Sequence, residues 1–132
     1  MITSGLEDYL ELIYNSILQK KEVKAIDIAN AFNISRSSVS EALIRLADMD
    51  LIIYEGRKGI SITPKGIDEA KRIVNTHQVL AKFFVDVLGV DEQIAEKNAC
   101  KVEHVIDKEL VDKISEFTIF YEKSGIEETH AK

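Results

Sequence analysis

The sequence predicts a mainly α-helical chain with one small β-hairpin, and three observations carry that expectation. Apolar residues recur at three- and four-residue spacing through most of the 132 residues. Two short β-branched runs, at 51–54 and 60–63, flank the glycine-bounded stretch Glu55-Gly56-Arg57-Lys58-Gly59. The single proline, Pro64, follows this hairpin directly, where it opens a helix well.

Composition narrows the class before any motif does. With 45% hydrophobic and 30% charged residues, the chain has the balance of a folded globular protein. It holds no apolar run of the roughly 18 residues a membrane span needs, and no secretory leader is expected at its start. One cysteine cannot form an internal disulfide, so a reducing cytoplasm is the expected setting. The net charge of −6 argues mildly against a nucleic-acid partner.

The first helix is expected over 3–20, with Leu6, Leu10, Ile13 and Ile17 inward and Thr3 or Ser4 as its cap. Its opposite side carries Glu7, Asp8 and Glu11, and by itself this is an acidic, solvated first turn. A short helix over 24–32 presents Ala25, Ile28, Ala29 and Phe32. Asn33-Ile34-Ser35 then turns the chain, and Ser35 caps a helix over 36–49 with Val39, Ala42, Leu43 and Leu46 inward. Two short helices joined by about three residues form a helix-turn-helix. The second exposes Arg36, Ser37, Ser38, Ser40, Glu41 and Arg45. Short polar side chains of this kind let a helix enter the major groove and meet phosphates and base edges.

The hairpin follows at once, which makes the unit a winged one, with Arg57 and Lys58 at the wing tip for the DNA backbone. From Pro64 a helix of about 24 residues is expected, with Thr63 as cap and Gly89 closing it. Its apolar face is broad enough to serve two sides, and His77 interrupts that face. Alone, such a histidine reads as a hydrogen-bonded core residue. A helix from Asp91 to about 106 and a last one after Asp107 complete the chain, and a polar tail with His130 frays from Ser124. The expected architecture is therefore mainly α with a small β-wing. A winged helix-turn-helix DNA-binding domain occupies residues 1–71, and a helical metal-binding and dimerisation domain occupies 72–132.

Cys100, Glu103 and His104 fall on one face of the helix expected to start at Asp91. Thiol, carboxylate and imidazole are all donors for a divalent transition metal, but three donors leave a site incomplete. Asp8 and Glu11 form a second acidic pair at i,i+3 spacing.

Taken together, Glu7-Asp8-Tyr9-Leu10-Glu11-x-Ile13-Tyr14, Ser37-Ser38-Val39, Leu51-Ile52-x-Tyr54-Glu55, Thr63-x-Lys65-Gly66, His77 and Cys100-x-x-Glu103-His104 resemble the diphtheria toxin repressor family of metal-dependent transcriptional repressors. The likeness spans nearly the whole chain and is greatest to the shorter manganese transport regulator branch. It implies a metal site of Asp8, Glu11, His77, Cys100, Glu103 and His104. Asp8 and Glu11 match ligands of the manganese branch, and His77, Glu103 and His104 match ligands common to the family. Cys100 departs from the manganese branch, which has glutamate there, and matches the iron branch. At an accessory site of the iron branch this chain has Ala81 in place of a glutamate and Glu96 in place of a histidine, so that site is not expected in its usual form, although Glu96 can still donate.

Carboxylates favour Mn²⁺, whereas thiolate and imidazole favour Fe²⁺, with Co²⁺, Ni²⁺ or Zn²⁺ as in vitro substitutes. Six side chains suffice for two ions per subunit. The expected partners are a second copy of the chain and double-stranded DNA with a palindromic operator, contacted through Ser35, Arg36, Ser37, Ser38, Ser40, Glu41, Arg57 and Lys58. Metal would act as co-repressor by joining the first helix to the dimerisation domain. Competing readings are a winged-helix regulator of a non-metal effector and a dimeric metal-binding protein without DNA affinity. An enzyme is not expected: Glu103 and His104 are adjacent, whereas helical di-iron enzymes use Glu-x-x-His.

Overall fold

The computed structural model describes residues 4–125, excepting the side chains of Ser4 and Arg57. The cap expected at Thr3 or Ser4, and the tail from 126 with His130, fall outside that description. The chain divides into two compact units, Met1–Arg72 and Ile73–Lys132.

In the first unit, α1 (Ser4–Leu18), α2 (Ala25–Phe32) and α3 (Arg36–Asp48) precede a two-stranded antiparallel sheet, β1 (Ile52–Tyr54) and β2 (Ile60–Ile62). Leu6, Leu10 and Ile13 of α1 are buried with Ile28 and Ala29 of α2 and Val39, Ala42, Leu43 and Leu46 of α3. These are the positions that three- and four-residue spacing selects. Asp27 accepts from the Lys24 N–H at the start of α2 (3.0 Å). Asn33 closes α2 in the left-handed conformation, φ 55°. Ser35 caps α3 by accepting from the Ser38 N–H (3.2 Å).

The sheet register pairs Ile52 with Ile62, Ile53 with Ser61 and Tyr54 with Ile60. The wing tip is a 3₁₀ turn, Gly56–Lys58, between Gly56 (φ 62°) and Gly59 (φ 98°). Both lie in backbone territory that side chains with a Cβ rarely adopt. Thr63 then fastens the wing to α4 (Pro64–Lys82). Its hydroxyl donates to the Asp50 carbonyl (2.6 Å) and accepts from the Gly66 N–H (3.0 Å). Gly66 sits so close to β1 that a Cβ there would lie 1.9 Å from the Leu51 carbonyl oxygen.

Two first-unit expectations are corrected. Glu7 is buried at 4% exposure rather than solvated, because its carboxylate accepts from Arg72 Nη2 (2.5 Å). Arg72 also binds Glu69, and the Glu69 hydrogen bond, reinforced by both carboxylates' charge, outweighs burial and holds the guanidinium pKa above its ordinary value. Phe32 is exposed rather than inward, and meets the Tyr9 ring edge-on at 5.1 Å.

In the second unit, α4 passes into one π-helical turn, Phe83–Val87, where Leu88 N–H donates to the Phe83 carbonyl five residues back (3.2 Å). The turn meets α5 (Glu92–Val102) and α6 (Lys108–Ser124). Lys82, beside it, forms an ion pair with Glu122 (2.6 Å) and donates to Asp86 (2.9 Å). Those two carboxylates, Glu122 foremost, raise the Lys82 pKa. Gly89, at φ 72°, follows the helix as expected. Asp91 caps α5 by accepting from the Gln93 N–H (3.0 Å).

The helix expected to reach about residue 106 ends at Val102. Val105 N–H and Ile106 N–H both converge on the Val102 carbonyl (3.0 and 3.1 Å), closing a turn that sets Asp107 before α6. β-Branched Val105 and Ile106, followed by an aspartate in extended backbone conformation, make continuation costly. At the other end, Ser124 belongs to α6 rather than to the tail.

Candidate metal centre

α4 supplies His77, and α5 with its closing turn supplies Cys100 and Glu103. A ring nitrogen of His77, the Cys100 Sγ and a Glu103 carboxylate oxygen all lie within 4.8 Å of one another. A divalent ion with bonds of about 2.0–2.3 Å spans donors up to about 4.6 Å apart, so small side-chain rotations bring all three within reach of one ion. The donor chemistry fits as well, since imidazole, thiolate and carboxylate together suit a first-row transition metal. Cys100 is exposed and Glu103 is buried at 2% exposure, so the cluster lies between solvent and core.

The imidazole is held from both sides. Nδ1 faces Glu103 Oε1 at 2.8 Å, and Nε2 hydrogen-bonds Glu96 Oε2. Burial disfavours the imidazolium, but hydrogen bonds and charge from Glu103 and Glu96 outweigh it, so the His77 pKa is raised above its ordinary value. His77 is thus both a partnered histidine and a member of a donor cluster.

The other expected ligands stand on the following elements. His104 is half-buried in the turn after α5, one residue beyond Glu103 and outside the three-donor group. Asp8, exposed, and Glu11, half-buried, stand on α1 in the first unit. Whether Glu96 joins the site is open from sequence, where it replaces a histidine of the iron branch's accessory site; it stands four residues before Cys100 and seven before Glu103. That spacing put all three on one helix face.

In the first unit, Ser35, Arg36, Ser37, Ser38 and Glu41 are exposed at the start of α3, Ser40 is half-buried, and Lys58 is exposed on the wing. Arg57 lies in the wing turn, its side chain outside the description. Ser35 Oγ bonds the hydroxyls of Ser38 (2.9 Å) and Ser37 (3.2 Å), so part of its capacity goes to capping. Lys24, Arg36, Ser40, Tyr54 and Gly56 line a groove between α3 and the wing. Lys24 is a cation on this face that the sequence reading did not include; its place at the α2 cap beside a winged turn was the available signal.

Residues 1–60 match the profile of the iron-dependent repressor N-terminal DNA-binding domain. Residues 63–128 match that of the iron-dependent repressor metal-binding and dimerisation domain. The chain belongs to the iron-dependent repressor family, that of the diphtheria toxin repressor. As a member it is a metal-dependent DNA-binding transcriptional repressor.

An uncharacterized HTH-type transcriptional regulator of Methanocaldococcus jannaschii is 37% identical over 123 residues, covering 92% of this chain and 96% of its own. The HTH-type transcriptional regulator MntR of Bacillus pumilus is 35% identical over 124 residues, covering 94% and 85%, which sets the chain in the manganese-regulator branch. A manganese-dependent transcriptional repressor solved in complex with manganese shares the fold, with TM-score 0.76 and 25% identity over 87% of this chain and 53% of that one. The chain spans about half the length of the solved manganese regulators it matches.

Proposed function

We propose that this repressor is a homodimer whose affinity for a palindromic operator is raised by Fe²⁺ or Mn²⁺ held at a centre built on His77, Cys100 and Glu103. The meeting of those three donors within 4.8 Å carries the reading. Asp8, Glu11 and His104 complete the ligand set on the strength of their sequence resemblance. Six donors suffice for two ions per subunit. The thiolate of Cys100 tilts the choice toward Fe²⁺, and the carboxylates keep Mn²⁺ in contention. When bound, the metal supplies concentrated positive charge and directional bonds. The protein's part is to yield the His77 and Cys100 protons and to present the buried Glu103 carboxylate, whose charge the ion would offset.

The DNA-binding domain is assigned to residues 1–71 and the metal-binding and dimerisation domain to 72–132. Within the second, Val105, Leu110, Ile119 and Phe120 are at least half exposed, and Phe117 nearly so. Apolar surface of this extent fits contact with a second copy. In the first, the exposed serines and Arg36 of α3, with Arg57 and Lys58 on the wing, would meet base edges and phosphates.

DNA binding by the full chain, measured in parallel with Mn²⁺, with anaerobic Fe²⁺ and with chelator, tests this reading. Tighter binding with either metal, reversed by chelator, is expected. Equal binding with and without chelator would instead favour a regulator of a non-metal effector, and metal uptake without any DNA affinity would favour a metal-binding dimer.

A further inference from the structure

His77 presents two nitrogens to two unequal carboxylates. On the Nδ1 side stands Glu103, its side chain 1% exposed; on the Nε2 side stands Glu96, 62% exposed. Glu103 belongs to the three-donor cluster with Cys100, and Glu96 lies outside it. A neutral imidazole gives one nitrogen lone pair to a metal and keeps the other nitrogen as an N–H donor. Ligating histidines ordinarily give that N–H to a carboxylate, carbonyl or water, which fixes the tautomer and ring orientation and strengthens the donor.

From this asymmetry we infer that Nδ1 is the nitrogen His77 turns to the metal, and that Glu96 is a positioning residue accepting the Nε2 proton. The inference rests on the metal-centre reading above and deepens it. Glu96 reaches Nε2 from α5, the helix that carries Cys100. One hydrogen bond thus ties the ring on α4 to the same helix as its fellow donor. Without it the ring keeps only its bond to Glu103, and either nitrogen can turn toward the site. Because Glu96 is exposed, replacing it leaves no buried cavity, so an effect on metal binding reports orientation rather than folding.

The test uses the full chain labelled with ¹⁵N-histidine and loaded with Zn²⁺ as a diamagnetic probe. Long-range ¹H–¹⁵N spectra read the His77 tautomer, and competition with a chromophoric chelator reads Zn²⁺ affinity. In the unsubstituted protein Nδ1 is expected to carry the metal and Nε2 the proton. Glu96→Ala should lose the fixed tautomer and bind Zn²⁺ about 10–100-fold more weakly, with circular dichroism unchanged. Glu96→Gln, whose carbonyl oxygen can still accept the Nε2 proton, should keep the tautomer and lose less affinity. Metal on Nε2, or a Glu96→Ala protein indistinguishable from the unsubstituted one, would overturn the inference. So would a Glu96→Gln loss equal to that of Glu96→Ala, which would make charge rather than the accepted proton decisive. Zn²⁺ failing to bind the unsubstituted protein at all would remove the metal centre itself, a distinct result.

Discussion

At the scale of single residues, His77 decides how proton and metal compete. Its raised pKa comes from Glu103 and Glu96 prevailing over burial. The ion pairs therefore stabilise the metal-free fold fully below the unfolded pKa of about 6.5 and lose that contribution as pH rises through the folded pKa. Metal needs the nitrogen unprotonated, so its affinity should run the other way. Zn²⁺ titrations at pH 6 and pH 8 are expected to show weaker binding at the lower pH, with proton release larger there; a pH-independent affinity would take His77 out of the coordination.

Cys100 governs selectivity. Replacing it with serine removes the one soft donor, so Cys100→Ser should weaken Fe²⁺, Co²⁺ and Zn²⁺ binding by about tenfold or more and Mn²⁺ binding less. Titration calorimetry of the four ions separates the cases, and an equal loss for all would place the sulfur outside the ligand set. Periodicity made Cys100 and Glu103 legible from sequence, since both fall on one side of a helix. His77 was legible only through resemblance to the family, because a histidine in an apolar stripe is equally a core residue. Its contact with Glu96 depends on how α4 meets α5, which no local pattern encodes.

At the scale of elements, turn chemistry was the most readable part. Ser35, Thr63 and Asp91 each cap the helix expected of them, since a short side-chain oxygen before an apolar run satisfies orphan N–H groups. What sequence could not show was where a strong pattern gives way. The π-helical turn at Phe83–Val87 hides inside an unbroken apolar repeat. The end of α5 at Val102 hides because Glu103 still has helical angles, φ −56° and ψ −28°. Glu7 looked solvated because its partner Arg72 is 65 residues away.

Gly66 offers a sharp test of the joint between wing and α4. A methyl group 1.9 Å from the Leu51 carbonyl oxygen meets backbone, which cannot swing aside. Gly66→Ala should cost about 3 kcal/mol by moving α4 off β1. Chemical denaturation measures it, and an unchanged midpoint would mean that the joint accepts a methyl group without displacing α4.

At the scale of the whole molecule, charge is unevenly shared. Residues 1–71 hold nine Lys and Arg against eleven Asp and Glu, net −2, while residues 72–132 hold eight against twelve, net −4. The DNA-reading half is the less acidic, and divalent ions bound to acidic ligands would reduce the overall −6 further. Fold class was legible at this scale because the order of helix, helix-turn-helix and hairpin is itself a pattern. The exposed apolar surface of α6 was legible only as an excess of apolar positions.

Phe120, 62% exposed, is expected to lie in the contact between copies. Phe120→Glu should therefore shift the protein toward monomer in sedimentation experiments while leaving helix content intact; an undisturbed dimer would put the interface elsewhere.

The most direct measurement is operator affinity as a function of free Fe²⁺, under anaerobic conditions and fixed ionic strength, for the unsubstituted protein beside His77→Ala. Affinity should rise with Fe²⁺ in the unsubstituted protein and fall on chelation. His77→Ala should need about 10–100-fold more metal for the same response, as expected for disrupting a metal site. Superimposable curves for the two proteins, or DNA binding indifferent to metal in both, would contradict a metal-sensing centre at His77, Cys100 and Glu103.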